Sequence, residues 1–226
     1  MPKGVACPPQ RIKFLSGIGF LAQQMTNLEI DRSLGGVVSD IRNCSLCAGE
    51  MPRDPRPILR ARSNARILIA SQAPGNKAAN SGIPFSDPSG VRLRQWMGVD
   101  ETVFYNESIC AIVPMGFCFP GYDKNGGDMP PMKRCAKVWR AELLDQLQGV
   151  ELTLVIGMYA MSWHLRGRRA RTLTETVRNW REFAAEGIFT LPHPSWRNTA
   201  WLKRNPWFEQ ETLPALKQAI SQVLSD

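Results

Sequence analysis

Four short apolar runs recur along the chain, and each gives way to a turn and then to residues spaced as on one face of a helix. The first, Ala65-Arg-Ile-Leu-Ile-Ala-Ser71, is closed by Pro74 and Gly75, the pattern of a buried parallel strand entering a loop. Similar runs cover Ser108 to Val113, Leu152 to Ile156 and, more weakly, Ile188 to Leu191. Among the helical stretches, Val138, Trp139, Leu143 and Leu147 share one face and Val177, Trp180 and Phe183 a second; Leu213, Leu216, Ile220, Val223 and Leu224 form a last one. Asn205 before Pro206 predicts a helix start, and Pro214 a kink near the beginning of the last helix. Strands alternating with helices predict an α/β fold, a three-layer α/β/α sandwich with a central, mostly parallel four-stranded sheet. Ligands of such sheets sit outside the carboxyl ends of the strands, so the loops after the strands are where a site belongs.

Residues 1–40 lack strong periodicity and carry Pro2, Pro8, Pro9, Gly17, Gly19, Gly35 and Gly36. They read as an N-terminal extension around a short helix, packed on a single domain of residues 41–226. With 43% hydrophobic residues the chain can bury one sizeable core. No apolar run approaches the roughly 20 residues of a membrane span, and the cysteines are read as ligands in a reducing compartment rather than as disulfides. The expectation is a cytoplasmic monomer with no membrane partner.

Charge adds a partner class. Lys and Arg number 28 against 20 Asp and Glu, a net +8, which favours a polyanion without choosing one. The basic residues crowd toward the C-terminal half, at Arg166, Arg168, Arg169, Arg171, Arg197, Lys203 and Arg204; a solvated, solubilising face accounts for them equally well.

Cysteine spacing points to chemistry. Cys44 and Cys47 form a C-x2-C pair, and Cys118 and Cys135 a second pair farther along. Four thiolates drawn from distant segments suit a tetrahedral zinc or an iron-sulfur cluster. Cys7 and Cys110 match no ligand position, and Cys110, inside an apolar run, reads as a small buried residue.

The loops after the runs hold Ser71-Gln72-Ala73-Pro74-Gly75, Gly82-Ile83-Pro84-Phe85 leading into Asp87-Pro88-Ser89-Gly90, and His193-Pro194-Ser195-Trp196-Arg197. Taken singly these are ordinary turns. In this order, with the four cysteines and the Leu154-Val-Ile-Gly-Met-Tyr-Ala160 junction, the chain from Cys44 to Leu224 resembles the uracil-DNA glycosylase superfamily, particularly its iron-sulfur family-four branch. The resemblance implies a monofunctional glycosylase that flips uracil out of single- or double-stranded DNA and hydrolyses its N-glycosidic bond, with no lysine nucleophile. It implies a four-iron, four-sulfur cluster on Cys44, Cys47, Cys118 and Cys135, where spacing alone allows zinc.

Roles follow from the same likeness. His193 would donate to a uracil oxygen as negative charge develops on the leaving base, or it would only brace its loop. Phe85 would stack on the extruded base, with Ala73 and Ser195 beside it, or be plain core. The branch carries a base-reading asparagine shortly before the third cysteine, where this chain has Pro114-Met115-Gly116; main-chain groups of Met115 and Gly116 are the expected substitute. Gln72 stands where an acid is common and can orient a water but cannot take its proton, so Asp87 is the expected water-positioning group or, alternatively, a helix N-cap. Trp196 and Arg197 are candidates to fill the gap left by the flipped base, and Lys203 and Arg204 to contact phosphates. The missing asparagine leaves room for hypoxanthine or xanthine as the base, and Gln72 for a non-catalytic, metal-stabilised DNA-binding protein.

Overall fold

The computed structural model describes residues 33–225; most of the expected N-terminal extension, with Cys7, lies outside them. The first run forms β1 (Ile67–Ala70), buried along its whole length. It pairs in parallel with β2 (Cys110–Ile112) on one side and β3 (Leu152–Ile156) on the other, and β3 pairs in parallel with β4 (Ile188–Leu191). The sheet order is β2-β1-β3-β4. The chain therefore reverses direction across the sheet at β1, which opens a crevice at the carboxyl ends of the central strands.

Helices cover both faces. In chain order they are α1 (Leu34–Arg42), α2 (Asn76–Ser81), α3 (Pro88–Met97), α4 (Glu101–Tyr105) and α5 (Lys133–Asp145), then α6 (Gly157–His164), α7 (Leu173–Arg178), α8 (Trp180–Ala184), α9 (Thr199–Arg204) and α10 (Leu213–Ser225). The period of two along β1 makes the layers. Ile67 and Ile69 join a core with Trp96 of α3, Phe104 of α4 and Ile220 of α10. Leu68 joins a second core with Val37 and Ile41 of α1 and Leu143 of α5. The three-layer α/β/α sandwich with its four-stranded parallel sheet is thus present.

Several details refine the sequence reading. The folded unit begins before residue 41, because α1 lies partly within the expected extension and buries Val37, Val38 and Ile41. The face of Val177, Trp180 and Phe183 is divided between two short helices, with a Thr172/Glu175 capping box opening the first. A helical run does begin just after Asn205 and Pro206 and continues into α10, but the Asn205 side chain makes no cap bond to a main-chain amide there. Asn205 ends α9, and its side-chain oxygen accepts the Trp207 indole N–H at 3.2 Å. The irregularity expected at Pro214 is a π-helical turn at Phe208–Thr212, where the Leu213 N–H reaches back to the Phe208 carbonyl. Pro214 has no N–H to give, and a wider turn before it keeps its ring off the preceding carbonyl. No helix among the described residues is long and apolar enough to cross a membrane.

Candidate functional site

The exits of β1 and β2 run side by side beyond the strands. The Met115 N–H donates to Ser71 O at 2.7 Å and the Gly116 N–H to Gln72 O at 3.0 Å. Both amides are committed to backbone, Met115 is buried, and Gly116 lines the cysteine pocket described below. The structure therefore does not bring these two amides to a ligand, contrary to the sequence reading. Pro114, one residue earlier, is what this segment contributes to the crevice.

There, Ala73, Phe85, Asp87, Pro114, Asp128 and His193 line a recess of about 40 Å³. It opens into a cleft of about 590 Å³ that shares Ala73, Asp87, Asp128 and His193 and adds Gln72, Ser195, Trp196 and Arg197. A larger groove of about 700 Å³ runs past Asp87 on the other side, lined by Arg60, Arg94 and Tyr105, and includes neither His193 nor the β1 exit.

Phe85 is held in a left-handed backbone conformation, φ 54°, which an aromatic residue adopts only when its surroundings impose it. The Tyr105 hydroxyl donates to Pro84 O at 2.9 Å and Phe85 O at 3.2 Å. Beneath it, a Cβ on Gly90 would lie 1.8 Å from the Phe85 carbonyl oxygen, so only glycine lets the start of α3 approach. The half-buried Phe85 ring meets Phe104 edge-on at 6.1 Å.

His193 follows β4. Its Nδ1 accepts the Ser195 N–H at 3.2 Å, which places the proton of a neutral ring on Nε2. Burial holds the imidazole below its ordinary range, with the Asp87 carboxylate opposing that shift; the ring is a neutral donor at pH 7. Its loop is braced twice, by Asn198 Nδ2 donating to His193 O at 2.7 Å and by an Arg92 N–H donating to Ser195 O at 2.9 Å.

Asp87 lies in the recess and also caps α3, accepting the Gly90 N–H at 3.2 Å. Gln72 points to the loop over the cleft, where its amide donates to Met129 O at 3.1 Å. That loop supplies a group the sequence reading missed: Asp128, whose carboxyl burial pushes above the usual carboxylate range while Arg197 pulls it down. Its only signal in the sequence is Gly126-Gly127-Asp128, which reads as turn punctuation.

Trp196 is 74% exposed at the rim, with Arg197 over its ring at 5.5 Å. Arg197 also donates to Gly126 O at 2.6 Å. Lys203 and Arg204 are exposed on α9. Trp201, by contrast, packs against Trp207 and Phe208 and donates to Thr174 Oγ1 at 2.8 Å.

The four predicted ligands Cys44, Cys47, Cys118 and Cys135 line one pocket, between the end of α1, the β2 exit and the start of α5. Among the described residues no three Cys, His, Asp or Glu side chains close on one point as ligands of a single ion do. Burial pushes the Cys118 thiol up to about 12 and the Cys135 thiol up to about 11, so they ionise only against a cation. Backbone amides already point at both sulfurs, Arg56 at Cys118 and Phe117 at Cys135, the latter at 3.4 Å. Behind them Arg140 is fully buried, donating to Val113 O and Pro114 O and, at 2.6 Å, to His164 Nε2. Among the described residues its Nε has no hydrogen-bond partner, and the Cys135 thiol is the titratable group that acts on it. His164 is thereby held neutral, pushed down to about 3 by burial and then by Arg140. Cys110 is fully buried in β2, its thiol raised to about 12 by burial alone.

A family model, the Uracil DNA glycosylase superfamily, matches residues 60–217. The match spans the whole recess and the second cysteine pair; Cys44 and Cys47 fall outside it.

Proposed function

The chain belongs to the uracil DNA glycosylase superfamily, and from that premise we propose that it is a monofunctional DNA glycosylase that hydrolyses the N-glycosidic bond of an everted uracil in single- or double-stranded DNA. The observation that carries the reading is the neutral His193 ring, its proton on Nε2 and its loop braced, in the same recess as Phe85. Cleavage leaves the bond's electron pair on the base, and a fixed donor at a pyrimidine oxygen binds that charge more tightly than the ground state. The strained Phe85 backbone presents a ring on which a base can stack. Trp196 stands at the rim where a gap in the duplex would need filling, and Lys203 and Arg204 are free to meet phosphates.

The four cysteines form the second part of the reading, as holders of a four-iron, four-sulfur cluster. Four soft thiolates with N–H donors at two sulfurs match such a site. A buried guanidinium with no carboxylate beside it among the described residues calls for an anionic partner, which thiolates bound to metal would supply. Bound there, the cluster would join α1, the β2 exit and α5. Iron and sulfide analysis separates it from zinc.

The test is base release from oligonucleotides carrying uracil, hypoxanthine or xanthine, read as alkali-labile abasic product. Release of uracil with a loss of about 10²–10³ in single-turnover rate for His193→Ala is expected. Release of a purine instead corrects the substrate, and no release from any strand ends the enzyme reading.

A further inference from the structure

We infer that Asp128, on the loop bridging the β2 exit to α5, is the general base that activates the hydrolytic water, an assignment that rests on the glycosylase reading above. The two groups expected in that role are otherwise engaged. Gln72 directs its amide to Met129 O, and a carboxamide takes no proton. Asp87 accepts the Gly90 N–H and so caps α3, which commits a carboxylate oxygen to the helix N-terminus. Asp128 lines the same recess as His193, Phe85 and Asp87, and its carboxylate carries no hydrogen bond or ion pair among the described residues. It is available for a water.

The loop is built to hold it still. Asp123 Oδ1 accepts the Asn125 and Gly127 N–H groups, both at 2.8 Å, and Tyr122 and Asp128 form an antiparallel bridge. Gln72 fastens the loop at Met129 and Arg197 fastens it at Gly126. A Cβ on Gly127 would lie 3.0 Å from Asp123 Oδ2 and 3.1 Å from Arg197. At the other side the Asp128 carboxylate rests 3.7 Å from where a Cβ on Gly75 would be. Gln72 and Arg197, which sequence placed at the water and at the DNA, are thus positioning residues for Asp128.

Chemically the step balances. The Asp128 carboxylate takes one proton from water, whose oxygen bonds C1′ of the sugar. The C1′–N bond breaks with its electron pair going to the base, which leaves as an anion beside the His193 Nε2–H, and the proton on Asp128 returns to solvent. The charges around Asp128 act in both directions: burial, Asp87 and Asp123 raise its affinity for a proton, Arg197 lowers it, and His193 is neutral. A base poised above the ordinary carboxylate range is the stronger for it.

The experiment is single-turnover release against pH, on whichever base the wild type removes, with binding to abasic product DNA measured alongside. Asp128→Asn should lose about a hundredfold or more in rate, lose the acidic limb of the profile, and keep product affinity; Asp128→Glu should keep a limb and part of the rate. A folded Asp128→Asn with the wild-type rate and limb overturns the assignment, as does a limb that disappears only in Asp87→Asn or a loss of DNA affinity in place of rate. Should Asp128→Asn fail to fold, Asp128→Glu decides, since an unmoved limb overturns it. Wild-type release of a base with any of these results leaves the glycosylase reading standing; a wild type that releases none overturns both.

Discussion

The recess at the strand ends and the cysteine pocket hang from one segment, Val113 to Cys118, yet they are made in opposite ways. The recess mixes apolar walls with Asp87, Asp128 and His193, shares them with a cleft, and is assembled from loops whose backbones are forced: Phe85 at positive φ, Gly90 pressed beneath it, the His193 loop braced twice. The cysteine pocket is lined mainly by sulfur and apolar side chains between α1, the β2 exit and α5, and the unusual element behind it is a buried charge, Arg140. Strain of a different kind resides in each. In the recess it is conformational, sustained by neighbouring contacts; in the cysteine pocket it is electrostatic, relieved only when something negative lies opposite the guanidinium.

Disrupting the electrostatic side should cost most. Cys135→Ser removes the sulfur that interacts with Arg140; with the proposed cluster in place, a loss of about 3–5 kcal/mol in unfolding free energy is expected, together with loss of its iron. Denaturant unfolding of anaerobically purified protein measures it, and the fraction that stays folded should still release base. A variant as stable as the parent would show that the thiolate and the guanidinium are not coupled.

On the conformational side Gly90→Ala should cost up to about 3 kcal/mol, because the new methyl overlaps the Phe85 carbonyl and α3 must withdraw. Here base release should fall as well, since Phe85 moves with the helix. Retained activity alongside the stability loss would separate the ring from the site.

The smallest effect tells the two regions apart through pH. His164 is neutral when folded, at about 3 against 6.5 when free. A depressed folded value means stability that is whole above about 6.5 and lost as pH falls toward 3, by about 1.4 kcal/mol per unit. His193, lowered in the same direction, adds at the upper end. Between pH 7 and pH 5 the His164 share is about 2 kcal/mol, and His164→Gln should flatten the slope of unfolding free energy against pH. An unchanged slope would place the titration elsewhere.

Sequence alone carried the architecture, because a strand buried on both faces must be a continuous apolar run and a helix on a sheet must repeat near 3.6; β1 to β4 and the long helices α5 and α10 follow from that. It also singled out His193 and Phe85, through the order of motifs that are individually ordinary, and the four cysteines, through their spacing; the fold puts the first two in one recess and the four in one pocket. Folding settled what spacing cannot encode. Met115 and Gly116 turned out to be ladder donors because β1 and β2 continue pairing past their ends, and Gln72 turned to the loop above it. Asp128 enters the recess from a turn whose Gly-Gly-Asp sequence announces only a change of direction, and Arg140 reaches the cysteines from the inner face of α5. Local periodicity reports which face of an element is buried; which charges meet across the gap between elements depends on distances that only the folded chain sets.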